Sequence, residues 1–197
     1  MARPKLHDEA LRVRLLEQAV RTLSEDGLEG LRLRKLAADV GTSTTAVYSL
    51  FGGKPGLLEA LFDEAFARFG RRLAEVELTD DPHADLLALG LVYRASALAE
   101  PHFYQVMFGP VGGAVTPGPE SVQRAEGTFL LLVDAVRRAI DAGQLRQTDP
   151  ITIATALWAC VHGLVTLELR SLLPLPPGDA AELYHQTLRA MADGWRA

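Results

Sequence analysis

Apolar residues recur at helical spacing along most of the chain, and no segment shows the alternating pattern of a β-strand. The inner face of a first helix, which ends at Gly27, is marked by Leu11, Leu15, Ala19, Val20 and Leu23. The same spacing predicts helices over residues 33–40, 44–50, 54–77, 82–99, 101–108, 120–142, 149–173 and 179–195. The sequence therefore predicts an all-α fold of about nine helices.

Glycine and proline mark the predicted boundaries between helices. The clearest loop spans residues 109–119, and a shorter linker spans 173–178. Gly52 and Gly53 precede a long helix whose first turn tolerates Pro55, because no amide donor is needed there. We therefore predict two domains, an N-terminal one over residues 1–53 and a C-terminal one over residues 54–197.

Residues 33–51 have the spacing of a helix-turn-helix. Two short helices that cross closely need a small residue, here Ala37, and then a left-handed turn, which Gly41 supplies without steric cost. Ser43 is placed to cap the second helix. Apolar side chains fill the wedge between the helices: Leu36, Val40 and Val47. An ordinary helical hairpin uses the same residue types, so the spacing alone leaves that alternative open.

The outward residues of the second helix favour contact with DNA. They are small and mostly hydroxylated: Thr44, Thr45, Ala46 and Ser49. A solvent-exposed helix usually carries Glu, Lys and Arg, whereas a helix in the major groove needs short side chains that bond or pack against base edges. Arg34 lies on the preceding helix, and Tyr48 and Lys54 lie where a phenol and an ammonium could hold phosphates.

The charge distribution agrees weakly with this interpretation. The whole chain carries a net charge of −5. Residues 1–54 contain nine basic and seven acidic side chains, a net of +2, whereas residues 55–197 contain eleven and eighteen, a net of −7. A basic end on an acidic body suits a protein that touches phosphate with one end only.

The single cysteine, Cys160, excludes an intrachain disulfide and favours a reducing, cytoplasmic environment. The charged N-terminus does not resemble a secretory signal. Residues 151–173 are long enough to span a membrane, but they contain His162, Glu168 and Arg170, so we expect a helix covered by protein and no membrane partner.

Residues 7–62 resemble the DNA-binding domain of the tetracycline-repressor (TetR) family. The resemblance depends on the long first helix, the helix-turn-helix, and the sequence Tyr48-Ser-Leu-Phe51 followed by Gly-Gly-Lys54. Two positions depart from the family pattern: Arg32 stands where a capping Ser or Thr is usual, and Ser49-Leu50 stand where an aromatic residue or His is common.

The resemblance implies a transcriptional regulator, with a recognition helix over residues 44–50, that binds a palindromic operator as a homodimer. It further implies that Arg34, Thr44 and Thr45 face bases, whereas Ser43, Tyr48 and Lys54 hold phosphates. Residues 101–108 and 158–168 are similar, more loosely, to a subgroup with a WHG-type C-terminal domain, which identifies no effector.

The C-terminal half offers a predicted effector pocket and a predicted dimer interface. The pocket residues are aromatic, apolar or imidazole: Phe103, Tyr104, Met107, Trp158 and His162. They are equally consistent with an ordinary core, and His162 is more often a hydrogen-bonded core histidine than a ligand contact. The interface residues lie on the last two long helices: Leu157, Val161, Leu164, Val165, Leu183 and Leu188.

Two other function classes compete with a regulator. An all-helical enzyme needs a convergent set of catalytic groups, but the five histidines lack metal-ligand spacing and Cys160 lies in an apolar run, so we expect no catalysis, metal or cofactor. A ligand-binding or scaffold protein could keep the helix-turn-helix only as structure.

Overall fold

The computed structural model describes residues 3–109, 116–174, 176 and 178–197. Within these ranges the chain forms nine α-helices, and its only β-type pairing is an isolated bridge between Leu145 and Arg196. The helices are α1 (Arg3–Gly30), α2 (Leu33–Val40), α3 (Thr44–Phe51), α4 (Lys54–Ala74), α5 (Pro82–Ala99), α6 (Pro101–Phe108), α7 (Pro119–Asp141), α8 (Pro150–Leu169) and α9 (Ala180–Asp193). The predicted all-α fold is confirmed.

Helix ends differ most from prediction after α8, which stops four residues early. Ser171 adopts a left-handed conformation with φ of 54°, and its amide donates to the carbonyl of Glu168 at 2.9 Å. The amide of Leu172 returns to the carbonyl of Leu167 at 2.9 Å, which closes the helix. Of the predicted loops, residues 110–115, 175 and 177 lie outside the described part of the chain.

Contacts between residues divide the chain into two compact units. The first unit contains the chain up to Ala67 together with His102–Arg124, and the second contains Arg68–Pro101 and Ala125–Ala197. The predicted boundary after residue 53 therefore differs from the division by contacts. The unit that contains the helix-turn-helix also contains the first two-thirds of α4, all of α6 except Pro101, and the start of α7.

The first unit has a continuous apolar core under the helix-turn-helix. Fully buried side chains of this core come from α1, the segment after it, α3 and α4: Leu15, Leu16, Ala19, Leu31, Val47, Leu57 and Leu61. The helix α1 is kinked at Gly27, whose φ of 68° and ψ of −170° leave the helical region. This conformation favours glycine and interrupts the helix at the predicted position, although helical residues continue to Gly30.

The second unit is built around mutual packing of α5, α8 and α9. A side chain at Gly90 on α5 would meet Leu188 of α9 at 2.6 Å, so glycine allows the two helices to approach. The Tyr184 hydroxyl donates to the Gly90 carbonyl at 2.6 Å and satisfies a buried polar group. Close helix packing at this point depends on both residues.

A buried carboxylate fixes the start of α5. Asp85 is 2% exposed, and it accepts hydrogen bonds from the Thr79 amide and hydroxyl and from the Arg138 guanidinium. Burial alone would raise the pKa of Asp85, but the hydrogen bonds from Thr79 and the contact with Arg138 lower it below its ordinary value. The carboxylate therefore remains ionised in the folded protein at neutral pH.

Candidate nucleic-acid interface

The crossing of α2 and α3 follows from three residues. Leu36 and Ala37 are each 2% exposed, and Val47 is fully buried, so the two helices meet over a small, apolar contact. Gly41 ends α2 in the left-handed region with φ of 73°. The Thr42 amide donates to the Ala37 carbonyl at 2.8 Å and closes the turn. This is the predicted helix-turn-helix geometry.

Ser43 begins the second helix as predicted. Its backbone is extended, and its hydroxyl oxygen accepts a hydrogen bond from the Ala46 amide at 3.1 Å. Such a cap satisfies one of the amides that the first turn of a helix leaves unpaired. The cap of α2 differs, because Arg32 makes no side-chain capping bond, as its departure from the usual Ser or Thr led us to expect.

The helix α3 presents an uncharged polar face outward. Thr45 and Ser49 are exposed, Thr44 and Ala46 are half-buried, and Tyr48 is 54% exposed. The face buried against the first unit carries Val47 and Phe51. An exposed phenol on a helix with no charged side chain is typical of a surface that meets a partner, because tyrosine is enriched at interfaces.

The preceding helix, α2, carries two exposed basic side chains, Arg34 and Lys35. Arg34 is exposed at the start of the helix. Lys35 is also exposed, but its ammonium pairs with the Asp39 carboxylate at 3.2 Å. The Lys35 ammonium is therefore already engaged within α2.

The turn between α3 and α4 depends on three glycines. Gly52 and Gly53 have φ of 70° and 136°, and an ideal Cβ at Gly53 would lie 3.6 Å from the Tyr48 ring. The third is Gly56, where a Cβ would lie 2.0 Å from the carbonyl oxygen of Phe51. We did not predict a role for Gly56 from sequence. A glycine in the first turn of a helix, where alanine has the higher propensity, was the available signal.

The ammonium of Lys54 makes a hydrogen bond within the protein. Its Nζ donates to the carbonyl of Leu28, in the turn after Gly27, at 2.5 Å. The side chain is half-buried, and this bond uses one of its three donors. Lys54 therefore ties the end of α1 to the start of α4.

The five residues predicted for the effector pocket lie in two separate parts of the chain. Phe103, Tyr104 and Met107 are buried on α6 in the first unit, each no more than 9% exposed. Trp158 and His162 are half-buried on α8 in the second unit. The first group therefore has the burial of a packed core, and the second retains accessible surface.

The residues predicted for the dimer interface also differ in burial. Four of the six lie in the core of a single protomer, none more than 5% exposed: Leu157, Val161, Val165 and Leu188. Leu164 and Leu183 are half-buried. The free surface of α8 is formed by other residues, namely Thr152, Thr155, Ala159 and Leu167, which are exposed, and Ala156, Cys160 and Gly163, which are half-buried. The four core residues offer little surface to a second copy.

The start of α7 is held by a carboxylate of α4. Glu59 accepts hydrogen bonds from the Gly118 amide at 2.8 Å and from the Ser121 hydroxyl at 3.3 Å. Phe66 of α4 packs edge-on against Phe108 of α6, with ring centroids 5.8 Å apart. These contacts lie within the first unit, so the segments on both sides of residues 109–117 pack with the helix-turn-helix unit.

Comparison with protein families accounts for both halves of the chain. The family described as bacterial regulatory proteins, tetR family, matches residues 15–61. The family described as tetracyclin repressor-like, C-terminal domain, matches residues 86–191, which is more than half of the chain. The chain belongs to the TetR family. Its curated relatives are named HTH-type transcriptional regulators, and the family membership predicted from residues 7–62 is confirmed.

Curated relatives are DNA-binding regulators. An HTH-type transcriptional regulator of Mycobacterium tuberculosis is 26% identical over 147 residues, which cover 73% of this TetR-family chain and 63% of the relative. The chain thus spans less than two-thirds of that relative's length. The HTH-type transcriptional repressor DrrR1 of Streptomyces coeruleorubidus is 42% identical over 50 residues, 25% of this chain and 18% of the repressor.

Solved structures share the fold. A protein of unknown function from a Rhodococcus species superposes with a TM-score of 0.83 at 30% identity, covering 95% of this chain and 96% of that one. The TetR-family regulator PfmR of Thermus thermophilus has a TM-score of 0.73 at 20% identity, with 91% and 97% covered.

Two further observations concern metal and membrane. In the part of the chain that the structure describes, no group of three or more His, Cys, Asp or Glu side chains could hold a metal ion. One described helix, Pro150–Leu169, is long and apolar enough to cross a membrane by length and composition, and only 28% of its apolar window is buried.

Proposed function

We propose that this TetR-family regulator binds a palindromic operator as a homodimer, represses transcription, and is released by a small-molecule effector. The observation that supports DNA binding most directly is the outward face of α3. Its residues are uncharged, short and hydroxylated, apart from the exposed phenol of Tyr48. Regulators of this family are in general cytoplasmic, which agrees with the reducing environment inferred from the lone cysteine.

Each residue has a proposed role on the DNA. Thr44 and Thr45, with Arg34 of α2, contact base edges in the major groove. The Ser43 hydroxyl and the Tyr48 phenol contact phosphates on either side, and Lys54 adds a phosphate contact whose position is fixed by the bond to Leu28.

Selection of fragments from the source genome by the full-length protein tests this function. We expect enrichment of a two-fold symmetric sequence whose half-sites lie about one helical turn, roughly 34–36 Å, apart. Affinity for that sequence should fall steeply with rising salt. Lys54→Met should reduce the salt slope by about 1. A protein that enriches no sequence and shows no salt dependence would instead be a scaffold or an enzyme that keeps the motif as structure.

The homodimer interface is proposed on the free face of α8. This face includes six uncharged residues at helical spacing: Thr152, Ala156, Ala159, Cys160, Gly163 and Leu167. A helix that is apolar all round is normally covered on every side, and only 28% of the apolar window of α8 is buried in a single protomer. A second copy that places its own α8 on this face removes the exposed surface and pairs two recognition helices, as a palindrome requires.

Substitution of matched glycines tests this interface. A Cβ at Gly163 or at Gly127 of α7 meets no atom within 4 Å in the protomer. Gly163→Leu should convert the dimer to a monomer in sedimentation velocity, and Gly127→Leu should leave it dimeric. A Gly163→Leu protein that still sediments as a dimer would place the interface elsewhere.

Effector control is proposed to pass through α4. The helix α4 extends from the helix-turn-helix unit, which contains it up to Ala67, into the second unit from Arg68 onward. An effector that favours one position of α4 shifts the dimer away from the DNA-competent spacing. Crystals of the DNA-bound and effector-bound dimers should differ in recognition-helix spacing, and identical spacing would exclude this mechanism.

A further inference from the structure

A connected cluster of rings crosses the second unit and joins four helices. We name it the ring cluster, and its members are Phe69, Tyr93, Phe129, Trp158 and His162. Phe69 of α4 and Tyr93 of α5 meet edge-on at 5.2 Å, and the Tyr93 hydroxyl lies 3.1 Å from His162 Nδ1. Ring centroids of His162 and Trp158 are 6.0 Å apart, and those of Trp158 and Phe129 are 5.6 Å apart.

Burial changes from one end of this cluster to the other. Phe69 and Tyr93 are 6% and 5% exposed, whereas Phe129, Trp158 and His162 are half-buried. The half-buried end, on α7 and α8, therefore offers aromatic surface together with the His162 imidazole. The Tyr93 phenol lies at its buried base. An apolar site with a few fixed polar groups is the usual form of a small-molecule site.

The polar groups of the cluster are neutral. Burial lowers the pKa of His162 below its ordinary value, so the imidazole is uncharged at neutral pH. It acts as a hydrogen-bonding group paired with the Tyr93 phenol and not as a cation. Two hydroxyl oxygens, Ser96 Oγ and Thr166 Oγ1, lie one turn beyond Tyr93 and His162, are buried, and have no hydrogen-bond partner among the described residues. A ligand hydroxyl entering beside either of them would satisfy it.

The charges that border the cluster are paired with one another. Arg94, next to Tyr93, forms two hydrogen bonds to Glu168 at 2.8 and 2.5 Å. Arg68 and Arg72, on either side of Phe69, contact the Glu100 carboxylate at 3.0 and 3.1 Å. A charged ligand would have to break one of these pairs to find a partner, whereas a neutral ligand leaves them intact.

We propose that the effector is an uncharged aromatic compound with a hydroxyl group, whose ring packs on Phe129 and Trp158 and whose hydroxyl bonds to the Tyr93–His162 pair. This inference rests on the proposed function, because it assigns a chemical class to the small molecule that releases the regulator. Of the residues predicted for the pocket, Trp158 and His162 would contact the effector. The other three would belong to the core of the first unit: Phe103, Tyr104 and Met107.

Four matched probes test the proposal on the full-length protein: para-propylphenol, propylbenzene, para-propylbenzoate and para-propylbenzylammonium. Trp195→Phe leaves Trp158 as the single tryptophan, so its fluorescence reports on the cluster. We expect saturable binding of the phenol, about tenfold weaker binding of propylbenzene, and at least about a hundredfold weaker binding of both charged probes. A charged probe that binds as well as the phenol, or a phenol that does not saturate, overturns the proposal.

Substitution separates the imidazole from the general apolar surface. His162→Phe keeps a ring and should reduce the preference for the phenol over propylbenzene from about tenfold to about twofold or less. His185→Phe, a change on α9, should keep the full preference. Equal preferences in the two variants would contradict the proposal, and the native probe series decides the matter if His162→Phe fails to fold. The genomic selection experiment does not depend on the probes. A protein that selects an operator but does not bind the phenol would overturn the proposed effector class and leave the proposed regulator function standing.

Discussion

Gly56→Ala tests whether the junction of α3 and α4 positions the recognition helix. The new Cβ would lie 2.0 Å from the Phe51 carbonyl oxygen, so one of the two helix ends must move by about 1.5 Å to reach van der Waals distance. Overpacking of this kind typically costs about 1–3 kcal/mol. Backbone atoms cannot rotate away as a flexible side chain does, so we expect a loss of about 2 kcal/mol, which lowers Tm by about 4–8 °C for a chain of this size.

Gly127→Ala provides the control for this experiment. Gly127 lies within α7, and its Cβ would meet no atom within 4 Å. Alanine should therefore stabilise the helix by about 0.5–1 kcal/mol. Thermal unfolding by circular dichroism and operator affinity are measured on both variants. We expect Gly56→Ala to weaken both quantities and Gly127→Ala to weaken neither. A Gly56→Ala protein that melts at or above the native temperature and binds DNA normally would refute the reasoning.

Three further predictions concern other contacts. Lys54→Met should weaken DNA binding and also destabilise the fold by about 1–2 kcal/mol, because the Leu28 carbonyl loses its donor; unchanged urea unfolding would show that this bond is not formed. The free energy of unfolding of the native protein should fall as pH drops below 6.5, because His162 binds a proton more readily in the unfolded state than in the folded state. His162→Gln should reduce this fall, and identical pH profiles for native and variant proteins would contradict the prediction. Asp85→Asn should lower the free energy of unfolding by about 2–3 kcal/mol at neutral pH. The difference should shrink progressively below the ordinary Asp pKa of 3.8, because the native carboxylate also becomes protonated there. A constant difference across that range would exclude the ion pair as the cause.

Sequence reasoning succeeded where the determinants are local. Ala37, Gly41 and Ser43 act within one or two turns of their own positions, so a small residue, a left-handed turn and a cap predict the helix-turn-helix directly. The same holds for the helix break at Gly27. These features depend on backbone conformation and need no knowledge of distant contacts.

Sequence reasoning was less reliable where a helix is apolar on every side. On α8, periodicity does not tell which apolar residues meet the same protomer, and Leu157, Val161 and Val165 prove to be core. The bond from Lys54 to Leu28 and the close approach at Gly56 were also inaccessible, because each depends on how separate helix ends are placed in space.

Base-by-base affinity measurement tests the central claim most directly. The selected operator is varied one base pair at a time and titrated with the native protein, with Thr45→Ala, and with Thr148→Ala, an exposed threonine between α7 and α8, as the control. We predict that Thr45→Ala loses discrimination, worth about 1–3 kcal/mol, at one symmetry-related position in each half-site, whereas Thr148→Ala keeps the native profile. A Thr45→Ala protein with the native profile at every position would show that the outward face of α3 does not read the operator.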